Sequence, residues 1–193
     1  MLDYITTEIV TDSLGIPLSA GNEMLQIDGR GITQLLRQLP TILPLHTANQ
    51  TAQITPGMLA LLAAKEAAVN YCNQRVQFGQ KIGEFQMNQD MIAQMIAHEE
   101  AARLLVYRAA WLADQKKPNN LETSIGKYAA AEAANFAADA AMKILGAYGY
   151  STEFPVERYY RDAKSYQIVE GSSNVQKMII AQDALGYRKA NRS

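Results

Sequence analysis

Residues 155–177 read PVERYYRDAKSYQIVEGSSNVQK, and this stretch decides how the rest of the chain is understood. A polar helical pattern runs from Val156 to Tyr166. An apolar pair, Ile168 and Val169, follows, and then a lone carboxylate, Glu170, stands against Gly171. Two hydroxyls, Ser172 and Ser173, come next, and a second helical pattern runs from about Ser172 to Leu185, with Gly186 as its stop. This puts an acid at a chain reversal, beside flexible backbone and the amides that open a helix. Such amides attract anions and polar ligand groups. A carboxylate held there is a candidate general base whose protonation depends on how dry the site is. The same spacing also suits an acid that does no more than interact with a helix N-terminus.

Upstream, the pattern is helical from Thr55 onward. Thr55-Pro56 places a hydroxyl at the cap and proline in the first turn. That helix is predicted to reach about Gln77 and to end near Gly79. The next is predicted from near Glu84 to about Lys117, with Met91, Met95, Ala102, Leu105, Ala109 and Leu112 forming one apolar stripe. After the loop KKPNN (116–120), a third helix is expected from about Leu121 to Leu145. It contains AAAEAANFAADAA, whose small side chains allow close helix–helix approach, and Gly146 to Tyr150 ends it. Five helices on short connections predict an all-α fold, an antiparallel up-down bundle over residues 51–193. Residues 1–50 read as a separate, irregular segment. Ile5 to Val10 and Met24 to Ile27 are strand candidates there, and a short helix from Ile32 to Leu39 is stopped by Pro40.

Composition narrows the function. The 193 residues carry a net charge of −1 with no block of like charge, which argues against nucleic acid and acidic membrane surfaces as partners. Cys72 is the one cysteine, so no internal disulfide or thiolate metal cluster is expected, and a reducing, cytoplasmic setting is. No segment approaches the roughly 20 apolar residues that span a bilayer. His46 and His98 have no partners at metal-ligand spacing. His98 is read as partly buried or ion-paired beside Glu99 and Glu100. Met87, Met91 and Met95 are read as core. Tyr148, Tyr150, Tyr159, Tyr160 and Tyr166 are read as packing between helices. Arg161-Asp162 is read as a structural ion pair.

Four blocks, in order, resemble one family. They are NYCNQRVQFGQKIGEFQ (70–86), AARLLVYRAAWLAD (101–114), KILGAYGYSTEFPVERYYRDAK (143–164) and IVEGSSNVQKMIIA (168–181). Over about Pro56 to Tyr187 the chain is similar to the C-terminal helical domain of the acyl-CoA dehydrogenases, flavoenzymes that desaturate acyl thioesters between Cα and Cβ. The resemblance implies FAD as cofactor and an acyl-CoA or acyl-carrier thioester as substrate. It implies that Glu170, in Val169-Glu170-Gly171-Ser172, takes the α-proton. It also implies that the Glu170 backbone amide polarises the thioester oxygen. Arg75, Phe78 and Gln86 would reach the FAD of a neighbouring subunit, Gly146-Ala147 would lie near its adenosine diphosphate portion, and Ser172 and Asn174 would contact flavin; by residue type alone Arg75 also suits a surface cation at a helix end, and Phe78 is more often core than a cofactor contact. A homodimer or homotetramer follows from the same resemblance.

The chain also departs from the family. The family's N-terminal helical domain and β-domain are not matched, and residues 1–28 match at most the tail end of a β-domain. Residues 39–50, LPTILPLHTANQ, lack the acidic residue and arginine expected near the thioester. Val169 stands for an aromatic, Lys143 for a flavin-contacting glutamine, Ala147 for glycine. The leading expectation is a C-terminal component of an FAD-dependent dehydrogenase, with a separate chain supplying the flavin-covering domains. A non-catalytic oligomerisation module is the alternative, and a flavin oxidase or monooxygenase of the same fold is the third.

Overall fold

The computed structural model describes residues 55–187. The expected N-terminal strands, the helix before Pro40 and His46 lie outside them. The described chain is helical, with helices α1 (Thr55–Gln74), α2 (Gln86–Asp114), α3 (Asn120–Leu145), the single turn α4 (Ala147–Tyr150), α5 (Val156–Tyr166) and α6 (Ser173–Ala184). A hairpin of β1 (Val76–Gln77) and β2 (Gln80–Lys81), followed by a 3-10 turn at Ile82–Glu84, joins α1 to α2.

Side-chain pairs fix the directions. Arg108 meets Glu122 at the α2–α3 corner, and His98 meets Phe136 further from it, so these helices run antiparallel. Asn135 reaches the Ala163 carbonyl of α5, and Ser173 and Lys177 of α6 reach Glu132 and Tyr128 of α3. The helix α3 is therefore central, touched by α1, α2, α5 and α6. That position explains its alanines. Ala130, Ala131, Ala133, Ala134, Ala137, Ala138, Ala140 and Ala141 are all buried, on more than one face. A helix enclosed on several sides has room for methyl groups and little else, and alanine also favours the helical backbone. Gly57 of α1 extends this close approach, since a Cβ there would lie 3.5 Å from the Ala130 carbonyl oxygen. Bulk comes from the surrounding helices. Leu61 of α1, Met95 of α2 and Val156 of α5 are the largest fully enclosed side chains. Each is worth about 1.5–3 kcal/mol of apolar burial.

Several expectations need correcting. The first helix stops at Gln74 because the chain turns at Phe78-Gly79, where both residues have positive φ (53° and 82°). That is the two-residue turn that suits strand twist in a hairpin. The second helix begins at Gln86 and ends at Asp114, short of Lys117, and Lys116 adopts φ 54°. On α2 the buried stripe is Met95, Glu99, Ala102, Val106 and Ala109, so Leu105 and Leu112 lie beside it. Glu99, not His98, is the enclosed residue of the HEE run. Met87 is 81% exposed, so the methionine face is core only from Met91 inward. Of the tyrosines, Tyr159 and Tyr166 are buried, while Tyr148, Tyr150 and Tyr160 are exposed. Arg161 pairs with Glu157 one turn back at 3.0 Å rather than with Asp162. Among the described residues no helix is long and apolar enough to cross a membrane.

Candidate functional site

The reversal between α5 and α6 builds the first part of the site. The helix α5 ends as Ile168 and Val169 donate their amides back to the Ser165 carbonyl at 2.9 Å each. Glu170 and Gly171 then take positive φ, 53° and 84°. Glycine does so freely. A carboxylate-bearing residue there is strained by roughly 1–2 kcal/mol. Ser172 is the N-cap of α6, and the Ser173 amide donates to the Gln167 carbonyl at 2.8 Å, closing the turn.

Two side chains from other places hold the turn. Lys127, buried on α3, donates its Nζ to the Val169 carbonyl at 2.5 Å and to the Gly171 carbonyl. Gln176 Nε2, from α6, donates to the Gly171 carbonyl at 3.0 Å. Ser173 Oγ donates to Glu132 at 3.0 Å, which anchors the start of α6 on α3. Burial lowers the Lys127 ammonium from its usual range, while the Glu170 carboxylate pulls it back up. Glu170 itself is exposed, as are Gly171 and Asn174, and Ser172 is half-buried. The predicted residues Glu170, Ser172 and Asn174 thus share one turn and one helix start.

The other predicted residues gather elsewhere. Arg75 closes α1, and its guanidinium lies 5.6 Å from the centre of the Tyr148 ring. Tyr148 follows Gly146 and packs on Tyr71 and Phe154 at 6.4 and 5.3 Å between ring centres. Gly146 has φ 61° and open space where a Cβ would stand. Phe78, at the hairpin tip, is 94% exposed and meets Phe85 edge-on at 6.3 Å, beside Gln86 at the head of α2. Arg75, Phe78, Gln86 and Gly146 therefore form a second group at the far end of α3. Lys143, also at that end, is exposed and bonded to Asp139 at 2.6 Å; that bond and charge raise its pKa.

The two groups are far apart. From Lys127 to Gly146 along α3 is about 28 Å at the helical rise of roughly 1.5 Å per residue. One copy of the chain cannot close both groups around one small ligand. Each group has a chemistry of its own. The second group offers the exposed ring of Phe78, the planar cation of Arg75 against Tyr148 and the positive-φ turn at Gly146. The Glu170 turn presents an exposed carboxylate on a positive-φ backbone. Among the described residues no three His, Cys, Asp or Glu side chains are grouped to hold a metal.

Sequence reasoning missed Lys127. Its signal was a lone cation followed at three, four and seven residues by Ala130, Ala131 and Ala134, all of which are buried. A lysine on a stripe of buried alanines needs acceptors, and the carbonyls around Glu170 are those acceptors.

Comparisons with known proteins identify the family of the described helices. The family model for the acyl-CoA dehydrogenase C-terminal domain matches residues 52–185. A glutaryl-CoA dehydrogenase from Desulfococcus multivorans is 62% identical over 131 residues, covering 67% of this chain and 34% of that protein. The caffeyl-CoA reductase-Etf complex subunit CarC of Acetobacterium woodii is 36% identical over 181 residues, covering 94% of this chain and 45% of that one. The structure of a glutaryl-coenzyme A dehydrogenase in complex with glutaryl-CoA superposes with a TM-score of 0.72 at 55% identity, over 75% of this chain and 37% of that one. The chain thus spans a third to just under half of the curated relatives it matches. It belongs to the acyl-CoA dehydrogenase family, and its described helices are that family's C-terminal domain.

Proposed function

We propose that this chain supplies the base and part of the flavin cradle of an FAD-dependent dehydrogenase that desaturates acyl thioesters. The observation that carries the reading is the Glu170 turn, a carboxylate held in a strained backbone conformation by a buried lysine. In this role Glu170 takes the α-proton of the thioester, and its backbone amide would stabilise the developing enolate oxygen. Bound FAD would supply the acceptor for the hydride that leaves Cβ. Ser172 caps α6 and Asn174 lies in its first turn, and both would border the flavin. Arg75, Phe78, Gln86 and Gly146 would hold the dinucleotide of a neighbouring copy, so a homodimer or homotetramer is part of the proposal. The separation of the two groups along α3 supports that division. The remaining cover of the flavin would come from outside these residues, since the matched relatives are about twice as long. The 62% identity to a glutaryl-CoA dehydrogenase makes a short CoA thioester the first substrate to try.

The test assembles the chain with flavin-covering domains and offers an acyl thioester and a dye. A yellow assembly that reduces the dye, and loses that activity with Glu170→Gln, is expected. A colourless assembly, or full activity in Glu170→Gln, overturns the reading.

A second reading, a non-catalytic association module, draws on the outer face of α2. Ile96, Leu104 and Trp111 recur at near-heptad spacing and are 47%, 64% and 55% exposed. Such a face suits association of copies. It serves both readings, and the absorption spectrum of the assembly separates them.

A further inference from the structure

We propose that Lys127 is a positioning residue for the Glu170 turn: its buried ammonium clamps the carbonyls on either side of Glu170 and so sets where the carboxylate points. The inference rests on the reading of Glu170 as the base.

Two successive residues with positive φ separate the Val169 and Gly171 carbonyls, and one Nζ reaches both oxygens. A pair of carbonyls is a site for a cation, and the ammonium is its occupant. Lysine suits the place because it offers three donors around one point charge on a flexible stem. The stem leaves α3, the most enclosed helix of the bundle, so the clamp is anchored in rigid structure. Gln176 adds a second donor to the Gly171 carbonyl, at 3.0 Å, from the helix that follows. A Cβ on Gly171 would stand 2.6 Å from that Nε2, so the fit around the turn is close. Without the clamp, fewer bonds oppose the strain of the left-handed backbone at Glu170: the Gln176 bond and the closing Ser173–Gln167 bond remain, and the two Nζ bonds are lost. Glu170 would relax toward the common region, and the carboxylate would swing away from its place. A base displaced by about 1 Å loses about 100-fold in rate while the ligand contacts made elsewhere persist.

The experiment has a structural arm and a kinetic arm. In the full chain, Lys127→Met is expected to speed amide exchange at residues 167–173 by about tenfold or more, with the buried amides of α1 and α3 unchanged. In the flavin-loaded assembly, the same variant is expected to lower kcat about 10–100-fold with KM held within about twofold. An α-deuterated thioester should then show a larger isotope effect, because proton removal has become slow. A merely structural lysine would change none of these selectively. Turn exchange within about twofold of wild type, or kcat within about threefold, overturns the proposal. If Lys127→Met loosens the core as well, Gln176→Leu must reproduce the local exchange and part of the kcat loss without altering a charge, and its failure to do so also overturns it. Full turnover in Glu170→Gln removes the base and this proposal together. Loss in Glu170→Gln with normal Lys127→Met overturns the clamp alone.

Discussion

Glu99 offers the sharpest test of how the bundle is held. Its side chain is 3% exposed, and it takes Lys65 from α1 and Arg103 from one turn along α2. Those two cations are themselves largely buried, at 21% and 19% exposure. Glu99→Gln keeps the shape and removes the charge, which leaves an ammonium and a guanidinium against a neutral amide. Removing one partner of a buried ion pair costs about 3–5 kcal/mol. Lys65 and Arg103 retain a fifth of their exposure and can turn outward, and Arg103 keeps Glu100 at 3.3 Å. The expected loss is therefore about 2–4 kcal/mol, a fall in Tm of about 4–16 °C for a chain of this size. Glu100→Gln is the control. Its side chain is 56% exposed, so its pair is a surface pair worth less than about 1 kcal/mol. Urea unfolding followed by circular dichroism, with calorimetry on both variants, reads the difference. A Glu99→Gln loss no larger than that of Glu100→Gln would refute the claim that a desolvated carboxylate ties α1 to α2. Replacing Lys65, Glu99 and Arg103 together by Met, Leu and Met should be near neutral, because no buried charge is left unpaired.

Other substitutions give further checks. Phe78→Gly should leave stability unchanged or raise it by up to about 1 kcal/mol, by relieving the positive φ, while flavin titration of the assembly shows weaker binding; a destabilised protein with unaltered flavin affinity would contradict this. Gly149→Ala puts a Cβ 2.8 Å from the Met142 carbonyl oxygen and 3.1 Å from Leu145 Cβ, so melting should show a loss of about 1–3 kcal/mol, and a tolerated alanine would mean that α4 is not seated on α3. Burial raises the Asp162 carboxyl above its usual 3.8, against the fields of Arg161 and Arg158. The native state then holds the extra proton between pH 3.8 and that raised value, so stability falls as pH rises through the window and the penalty is complete above it. Asp162→Asn should therefore be more stable at pH 7 by less than about 1 kcal/mol, with the gain gone below pH 3.8; equal stability at pH 7 would sink the argument.

Helix α5 was read from the sequence with the bounds the structure gives, and α3 to within one residue, because both have strong local punctuation: Pro155 before the one, Gly146 after the other. The end of α1 was misread for a physical reason. A two-residue hairpin turn needs positive φ twice, and Phe78 gives no hint that it adopts such a conformation. Glu99 was legible in principle, since it sits four residues after Met95 and three before Ala102. An acid on an apolar stripe was instead read as the neighbour of His98. Glu170 and its turn were legible from the order of carboxylate, glycine and hydroxyls. What holds the turn was not, because Lys127 lies far back in sequence and only tertiary packing brings it there.

Strain and spacing together point at the same two places. Among the described residues, three that are not glycine have positive φ: Phe78, Lys116 and Glu170. Lys116 lies in the loop after α2. The other two are residues that the family resemblance expects to meet cofactor and substrate. Such conformations persist where the surroundings fix them, and they do so here. Glu170 is held by Lys127 and by the closing bonds of the turn, and Phe78 by a hairpin paired at Val76–Lys81 and Gln77–Gln80. The two places are kept apart by α3, a helix too enclosed to bend freely. If both serve one flavin, they must come from two copies of the chain. Flavin uptake should then depend on the chain concentration more steeply than first order, and a variant that blocks association without touching either group should lose flavin as completely as one that removes Arg75.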